Sequence, residues 1–405
     1  NAEVFRLWIA HELDLGTAES LAKAMQRTRE VQSNILATLN KQWVRIAMQK
    51  VQMLPPEKRE NARGDLCIAL ADGGWEQDPR TIFGNTMLGC AIAAHSSRAE
   101  IAQARDKLAK YPPTDSLLTL AMDRRHQALW PEIDRLRNDG FRKNLEHEAS
   151  RAAAAAKAAP KDYAAATYHM QTLRALGRFE DALSVGKDLA ADKAQIEVVG
   201  SDAFWLVNEY ASNLRALGRM DDAIAALDGV LTLGEDRYPE LSSLAINRAE
   251  MIVAQGRFET GLNSLVKIEA KSLSHLSAYG KMFVWANKAC ALHALGRDDE
   301  AKIAIALLAD KPSDNWSAAT AAAACRNDTS SIAEMLIKRM QYSDTRTSAL
   351  GLFITFDASE SRTAIEMAMR NAMSTARSTP AVQAELAKFG RAIRYAGTAQ
   401  GWSEF

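Results

Sequence analysis

Apolar residues recur three or four positions apart between Asp202 and Leu233, in two runs that a glycine separates. The first run is Leu206, Tyr210, Leu214 and Leu217, and the second is Ala223, Leu227 and Val230. This spacing places each run on one face of an α-helix. Gly218 lies where the first helix must end, because glycine adopts the left-handed conformation of a helix terminus without a steric clash. The pattern therefore predicts an antiparallel pair of helices joined by a very short turn.

The same turn occurs four times along the chain. Its copies are Leu176-Gly177-Arg178, Leu217-Gly218-Arg219, Gln255-Gly256-Arg257 and Leu295-Gly296-Arg297, with successive glycines 41, 38 and 40 residues apart. Each copy stands between two apolar helical patterns. A single hairpin of this kind cannot bury its own apolar face, so neighbouring hairpins must stack. The sequence thus predicts an array of helical repeats.

The four copies resemble the tetratricopeptide repeat family. Seven residues before the turn glycine stands a small residue in three copies (Met170, Ala211, Ala249, Ala289), and four residues before it an aliphatic residue (Leu173, Leu214, Ile252, Leu292). Five and nine residues after the glycine stand Ala182, Ala223, Gly261 and Ala301, then Gly186, Leu227, Leu265 and Ile305. The departures are Met170, Gly186 and a period above the family's usual length of about 34 residues. The resemblance implies an all-α fold, an α-solenoid of antiparallel hairpins wound as a right-handed superhelix.

The remaining chain is interpreted as weaker copies of the same hairpin. Residues 1–140 keep paired helical patterns without the Gly-Arg turn and are interpreted as degenerate repeats. Residues 141–380 form the array, with clear repeats at about 162–312 and degenerate ones at about 313–375, where Asn327 replaces the turn glycine. Segments Ser343–Phe356 and Ser359–Ser374 would make a sixth hairpin. Residues 381–405 would form a capping helix, Ala381–Tyr395, and a tail, and no strand pattern is evident.

Charge and hydropathy limit the classes of partner. Fifty basic and fifty acidic residues cancel, whereas nucleic-acid-binding proteins usually carry a basic excess. Nucleic acid is therefore not an expected partner. No apolar run reaches the roughly 18 residues of a membrane span.

The cellular compartment is inferred from the chain start and the cysteines. The chain begins Asn-Ala without methionine, which suggests that a secretion signal, an anchor or a domain precedes it in the native gene. With a secretion signal, the four cysteines would pair as Cys67–Cys90 and Cys290–Cys325. Cys90 and Cys290 also fit as small apolar core residues on helices. A periplasmic or secreted protein is expected, with a cytoplasmic one as the alternative, and the alanine- and arginine-rich composition suggests a bacterial source.

The motifs of common catalytic sites are missing. Gly186-Lys187 lacks the other residues of a phosphate-binding loop, and His147-Glu148 lacks the second histidine of a zinc-protease helix. No Gly-x-Ser-x-Gly elbow occurs, and the histidines are scattered singly. We expect no catalytic site, no metal site and no cofactor.

The resemblance implies that the first helix of each hairpin lines a concave groove that holds a ligand. The candidate groove residues are Gln171, Arg174, Trp205, Asn208, Ser212, Arg215, Asn247, Glu250, Phe283, Asn287 and His293. Arg174 and Arg215 would form a basic ladder, and the asparagines Asn247 and Asn287 would grip a peptide backbone. The basic residues that clamp a peptide carboxylate in one subtype are absent. Alternatively, these side chains are ordinary polar residues on an exposed face.

These observations favour a non-enzymatic scaffold that binds a protein or peptide in its groove. The alternative is a sensory or regulatory module of a larger protein whose N-terminal output or anchor domain has been removed. An enzyme of helical-toroid type with an unrecognised site is a third possibility. The oligomeric state is not indicated by the sequence.

Overall fold

The computed structural model describes residues 2–75, 83–109, 114–137, 139–357 and 360–398. Within these ranges the chain forms 24 α-helices, two short 3₁₀ helices and one sheet of two strands. The fold is all-α, with helices packed against their neighbours in the sequence as in a helical repeat solenoid. No helix in these ranges is long and apolar enough to cross a membrane.

Helices follow one another along almost the whole chain, and the two strands come only near its C-terminal end. The first ten helices are α1 (Ala2–Asp14), α2 (Ala18–Gln32), α3 (Asn34–Ala37), α4 (Lys41–Gln52), α5 (Pro56–Asp72), α6 (Phe83–Ser97), α7 (Ile101–Leu108), α8 (Thr114–Met122), α9 (Trp130–Leu136) and α10 (Arg142–Ala158). Next come α11 (Tyr163–Ala175), α12 (Phe179–Ala191), α13 (Lys193–Val199), α14 (Ser201–Ala216), α15 (Met220–Leu231), α16 (Leu241–Ala254), α17 (Phe258–Ser272), α18 (Ala278–Ala294) and α19 (Asp298–Asp310). The last are α20 (Trp316–Ala324), α21 (Thr329–Gln341), α22 (Ser343–Gly351), β1 (Ile354–Phe356), α23 (Ala364–Arg377), α24 (Pro380–Phe389) and β2 (Ile393–Tyr395). The 3₁₀ helices are Arg124–Leu129 and Pro312–Asp314.

The chain divides into two compact units, each built from several segments. Unit 1 contains Asn1–Arg151, Met340–Ile354 and Leu386–Ile393. Unit 2 contains Ala152–Arg339, Thr355–Glu385 and Arg394–Phe405. The clear repeats lie in unit 2, where the hairpins α11–α12, α14–α15, α16–α17, α18–α19 and α20–α21 follow one another.

Each predicted turn glycine ends the first helix of its hairpin. Gly177, Gly218, Gly256 and Gly296 have φ angles of 74°, 78°, 79° and 71°. At the second turn the Gly218 amide donates to the Arg215 carbonyl, at 2.8 Å, and the Arg219 amide to the Leu214 carbonyl, at 2.9 Å. These two bonds define the Schellman motif, which satisfies carbonyl groups that the helix end leaves without partners. The predicted register of the four turns is confirmed.

The fifth hairpin makes the same turn without glycine. Asn327 has a φ angle of 55°, in the left-handed region that asparagine tolerates better than most residues. The Asn327 amide donates to Ala324, at 3.0 Å, and the Asp328 amide to Ala323, at 2.9 Å. The prediction that Asn327 replaces the turn glycine is therefore confirmed.

The unusual residues of the first clear copy fit against each other. Met170 is fully buried where the other three copies have alanine, and Gly186 stands where they have leucine or isoleucine. A Cβ atom at Gly186 would lie 2.5 Å from Met170 Sδ and 3.2 Å from Tyr210 Cδ2. The larger residue on α11 thus fills the space that the smaller residue on α12 leaves, and the packing of the hairpin is preserved.

In three of the four repeated turns the arginine pairs with the first turn of the second helix, whereas Arg257 pairs with Asp221 of the preceding hairpin. Arg178 pairs with Asp181 at 2.6 Å, Arg219 with Asp222 at 2.8 Å, and Arg297 with Glu300 at 2.7 Å. All these side chains are exposed, so each pair adds little stability. The acidic residues also lie near the positive end of the second helix's dipole.

Unit 1 contains a similar hairpin turn between α6 and α7. Ala99 has a φ angle of 60°, its amide donates to Ser96, and the Glu100 amide donates to His95. The turn therefore has the Schellman pattern with alanine in the place of glycine, which is consistent with a degenerate hairpin. The disulfide Cys67–Cys90 joins α5 to α6, and in unit 2 Cys290–Cys325 joins α18 to the residue that ends α20. Both bonds are the predicted ones.

The C-terminal part differs from its prediction. The expected sixth hairpin does not form, because α22 belongs to unit 1 and α23 to unit 2, and the chain between them contains β1. Ser359 lies outside the described residues. The expected helix Ala381–Tyr395 ends at Phe389 and is followed by β2. The helix ends where glycine, a poor helix former, follows Phe389, and Gly390 instead forms an antiparallel bridge with Asp123.

Candidate binding face on the first helices

The candidate groove residues all lie on the first helices of the four clear hairpins. Gln171 and Arg174 are on α11; Trp205, Asn208, Ser212 and Arg215 on α14; Asn247 and Glu250 on α16; and Phe283, Asn287 and His293 on α18. Each first helix packs against the first helix of the next hairpin, from α11 through to α20. We call the surface formed by α11, α14, α16, α18 and α20 the first-helix face.

Arg174 forms a two-pronged ion pair with the next first helix. Its Nε and Nη2 donate to the Glu209 carboxylate on α14 at 2.7 and 3.2 Å. Glu209 is buried, with 4% of its surface exposed, and its Oε1 also accepts from Asn213 Nδ2 at 3.1 Å. A buried carboxylate is stable when it is paired and hydrogen-bonded. This pair therefore links the first two clear hairpins.

Arg215 binds two carboxylates, one of which comes from a distant part of the chain. Nη1 donates to Glu250 on α16 at 3.0 Å, and Nε and Nη2 donate to Glu366 on α23 at 3.0 and 2.5 Å. Burial of the guanidinium lowers its pKa, but the two carboxylates outweigh burial and raise the pKa above its ordinary value. Arg215 therefore stays charged and holds α14, α16 and α23 together.

Burial shifts the pKa of Glu366 in the opposite direction from the pKa of Arg215. Burial alone would raise the pKa of the Glu366 carboxyl, but the charge of Arg215 and the hydrogen bond from the Thr363 amide lower it below its ordinary value of 4.5. Glu366 is therefore ionised at neutral pH. The pair is fully formed above about pH 4.5 and is lost as the pH falls through the lowered pKa.

The two predicted ladders have partners within the chain. Arg174 and Arg215 lie on successive first helices, where the basic ladder was predicted, and each is paired with carboxylates of the same chain. Asn247 Nδ2 donates to Asn208 Oδ1 on the preceding hairpin at 2.8 Å, whereas Asn287 Nδ2 donates to the Phe283 carbonyl of its own helix at 2.9 Å. The two asparagines thus bond differently although they occupy equivalent positions.

The other candidates differ in accessibility. Ser212 donates to the Asn208 carbonyl of its own helix at 2.9 Å, and Gln171 is partly buried. His293 Nδ1 lies 2.9 Å from Asp298 on the exposed turn of the fourth hairpin. These three residues lie on three different helices, and the contacts of Ser212 and His293 stay within their own hairpins.

Aromatic rings remain accessible near the N-terminal ends of α14 and α18. Trp205 is 44% exposed. Tyr279, which is 57% exposed, stacks edge-on against Phe283 with 5.2 Å between the ring centroids. Trp205 stands ten residues before Arg215, about 15 Å along the helix. The first-helix face therefore has an aromatic side at the helix starts and a charged side near the turns.

Segment 360–377, which includes α23, covers part of the charged side. The Ser361 amide donates to the Ala216 carbonyl at the end of α14, at 2.8 Å. A Cβ atom at Gly218 would lie 2.8 Å from Ser361 Oγ, and one at Gly256 would lie 3.8 Å from Ile365 Cδ1. Further along, α23 packs against α20. The segment therefore runs from the ends of α14 and α16 to the fifth hairpin.

Residues after β2 make a similar contact at the first hairpin. The amide of Thr398 donates to the Ala175 carbonyl at 2.9 Å, and its hydroxyl donates to the Arg174 carbonyl at 3.0 Å. Thr398 is fully buried. The Ala175 carbonyl thereby gains a partner at the end of α11, and the Arg174 carbonyl, which also accepts from the Gly177 amide, gains a second donor.

The acidic partners Glu209 and Glu366 were not predicted from the sequence. The capping box from Thr363 to Glu366 is visible in the sequence as Thr-x-x-Glu, and both of its hydrogen bonds are present. It indicates a helix start but not the place where the helix docks. Glu209 stands nine residues before Gly218, and the third and fourth copies have asparagine at the equivalent position. An acidic residue at this position was the sequence signal for a partner of Arg174.

The described part of the chain contains no cluster of three or more His, Cys, Asp or Glu side chains that can hold a metal ion. No protein-family model matches the chain, and no curated protein matches it.

Proposed function

We propose that this protein is a non-enzymatic tetratricopeptide-repeat scaffold that binds a protein or peptide on its first-helix face. Three features support the family assignment: the four Gly-Arg turns, the burial of the small and aliphatic repeat residues such as Ala211 and Leu214, and the stacking of the hairpins. In that family the first helices line the concave side of a right-handed superhelix. The aromatic side, with Trp205 and Tyr279, would receive apolar side chains of the ligand.

The observation that carries the proposal is the docking of α23. A helical segment of the chain lies on first helices and offers a carboxylate to Arg215, which the repeat pattern places among the candidate ligand-binding residues. Helix-in-groove recognition uses the same elements, namely apolar anchors on one helix face and a few charge pairs. The surface is therefore suited to a helix or an extended segment with an acidic residue.

The two disulfides support a periplasmic or secreted location. Disulfides persist in oxidising compartments and are rare in the cytoplasm. Each bond here joins helices within one unit. We expect no reactive thiol when protein purified from its native compartment is unfolded without reductant, and four reactive thiols would place it in the cytoplasm.

Site-specific photo-crosslinking in the native cell tests the binding function. A photoreactive phenylalanine analogue replaces Trp205 on the first-helix face or, as a matched control, Ile303, which is exposed on the second helix α19. We expect the variant at position 205 to form one discrete adduct with another protein and the variant at position 303 to form none. An adduct at position 303 alone, or no adduct at position 205, would reject the proposed face.

A further inference from the structure

We propose that α23 is a tethered competitor for the first-helix face, and that the partner is a helix with the same chemistry as α23. This inference rests on the proposed function, because it assumes that the face binds a partner. It adds a class of partner, an amphipathic helix with an N-terminal capping box, and a means of regulation, the displacement of α23.

The N-terminus of α23 is built as a complete recognition element. Thr363 is the N-cap residue, and its side chain accepts from the Glu366 amide at 3.2 Å. In return, Glu366 Oε2 accepts from the Thr363 amide at 2.7 Å, while its Oε1 accepts from Arg215. One carboxylate thus both caps its own helix and pairs with the array. A partner helix needs Ser or Thr followed by Glu three residues later to reproduce this contact.

The remainder of α23 presents one apolar stripe. Ala372, Met373 and Ala376 are buried, and Ile365 and Met369 are partly buried. These residues recur at the three- and four-residue spacing of one helix face. The opposite side carries the exposed residues Met367, Ala368, Arg370 and Asn371. A partner helix that replaces α23 must therefore present small or flexible apolar side chains at the positions of this stripe.

α23 contacts the first helices of more than one hairpin. Glu366 pairs with Arg215 on α14, Ile365 lies near Gly256 at the end of α16, and α23 packs against α20. Arg215 is the fixed point, because it also pairs with Glu250 of α16 and stays in place when α23 leaves.

Occupation by a segment of the same chain lowers the apparent affinity for a partner. A tethered ligand acts at an effective concentration in the millimolar range, so a competing helix binds only the fraction of molecules from which α23 is displaced. Weakening the attachment of α23 must therefore strengthen binding of the same helix supplied in solution.

A peptide-binding experiment on the full chain tests this inference. The probe is a fluorescent peptide of residues 360–378, with blocked ends, and binding is followed by fluorescence anisotropy. Three proteins are compared: the wild type, Glu366→Gln, and the control Glu334→Gln, which removes an exposed carboxylate from α21. We expect Glu366→Gln to bind the peptide at least tenfold more tightly than the wild type and Glu334→Gln to match the wild type.

A second peptide defines the chemistry of recognition. When the peptide itself carries Glu366→Gln, its affinity for the Glu366→Gln protein should fall at least fivefold, because Arg215 loses its carboxylate. Equal affinity of the wild-type peptide for all three proteins, or equal affinity of both peptides, would overturn the inference. If Glu366→Gln reduces the helical signal in circular dichroism, Ser361→Pro replaces it, since this change deletes the amide that donates to Ala216. The same tenfold gain is then required.

The two proposals fail separately. A crosslinked partner at position 205 combined with unchanged peptide affinity leaves the binding function in place and removes the role of α23. A tenfold gain in peptide affinity without any partner adduct at position 205 supports the competition by α23 and removes the proposed cellular function.

Discussion

Arg215 and Glu366 are 151 residues apart in the chain, and two hydrogen bonds join them. Arg215 Nη2 and Nε donate to Glu366 Oε1 at 2.5 and 3.0 Å. The pair joins the second clear hairpin to a helix that follows the last hairpin. Because Arg215 belongs to the first-helix face, the pair attaches the C-terminal helix α23 directly to the proposed binding surface.

Replacing Arg215 with alanine should destabilise unit 2. The change leaves the largely buried carboxylate of Glu366 beside Glu250 without a counter-charge. Breaking a buried pair costs about 3–5 kcal/mol, and partial exposure reduces the expected loss to about 1–3 kcal/mol. Urea unfolding followed by circular dichroism measures it. The control is Arg219→Ala, which removes an exposed pair at the adjacent turn and should leave the midpoint nearly unchanged. Equal effects of the two changes would contradict the structural role of Arg215.

The exchange of sizes between Met170 and Gly186 predicts a coupled pair of substitutions. Met170→Ala should cost about 2–4 kcal/mol through the cavity it leaves. Gly186→Leu should cost about 1–3 kcal/mol because its side chain overlaps Met170. The double variant restores the sizes found in the second copy, so its loss should be smaller than the sum by about 1–3 kcal/mol. Strictly additive losses in thermal or urea unfolding would show that the two positions do not fit together as described.

The turn glycines provide a matched comparison for the contact with Ser361. Gly218→Ala and Gly296→Ala each place a side chain in a left-handed conformation, which costs about 1–2 kcal/mol. A Cβ atom at Gly296 meets no atom of the described residues within 4 Å, whereas one at Gly218 lies 2.8 Å from Ser361 Oγ. Gly218→Ala should also speed amide hydrogen exchange in residues 360–366, and Gly296→Ala should not. Identical exchange of that segment in both variants would argue against the contact.

Glu148 in unit 1 should make stability depend on pH. Its Oε1 accepts from the amide and the hydroxyl of Thr114, each at 2.6 Å. Burial and the nearby Asp115 carboxylate raise the pKa of Glu148 from 4.5 to about 7, against the opposing effect of the Thr114 donors and Arg151. Between these values the folded state holds a proton that the unfolded state has lost, so stability falls as the pH rises from 4.5 to 7.

Substituting Glu148 with glutamine should remove this dependence while keeping an acceptor for Thr114. We expect the variant to be more stable than the wild type by about 1–3 kcal/mol at pH 8 and nearly equal to it at pH 4.5. Urea unfolding across this pH range measures the difference. The control Glu146→Gln changes an exposed residue on the same helix, and its stability relative to the wild type should not change with pH. If the relative stability of Glu148→Gln does not change with pH either, the pKa of Glu148 is not raised.

The repeats were predictable because their signals are local. The turn at Gly218 and the substitution at Asn327 follow from backbone preferences that act within a few residues. The disulfide pairing followed from keeping each bond within one half of the chain. The same local logic failed after Gln341, because α22 packs against α5 and α8 and α23 pairs with Arg215 on α14, all far away in the sequence.

The candidate site was predictable in position but not in its contacts. The periodic pattern placed Arg174 and Arg215 on first helices, where the structure also has them. It could not show that Glu209 and Glu366 neutralise them, since ion pairs across hairpins depend on how the hairpins stack. The Thr363 capping box indicated a helix start, but its docking against Arg215 depends on the path of the whole chain.

Amide hydrogen exchange of the full chain, read by mass spectrometry, tests most directly that α23 lies on the first-helix face. Exposed helices without tertiary packing open easily, whereas docked helices exchange slowly. We expect peptides covering Glu366–Ala376 to be protected as strongly as those from α20. We also expect Glu366→Gln to speed their exchange at least tenfold without changing α16. Exchange of Glu366–Ala376 within seconds in the wild type, with α20 protected, would contradict the docking of α23.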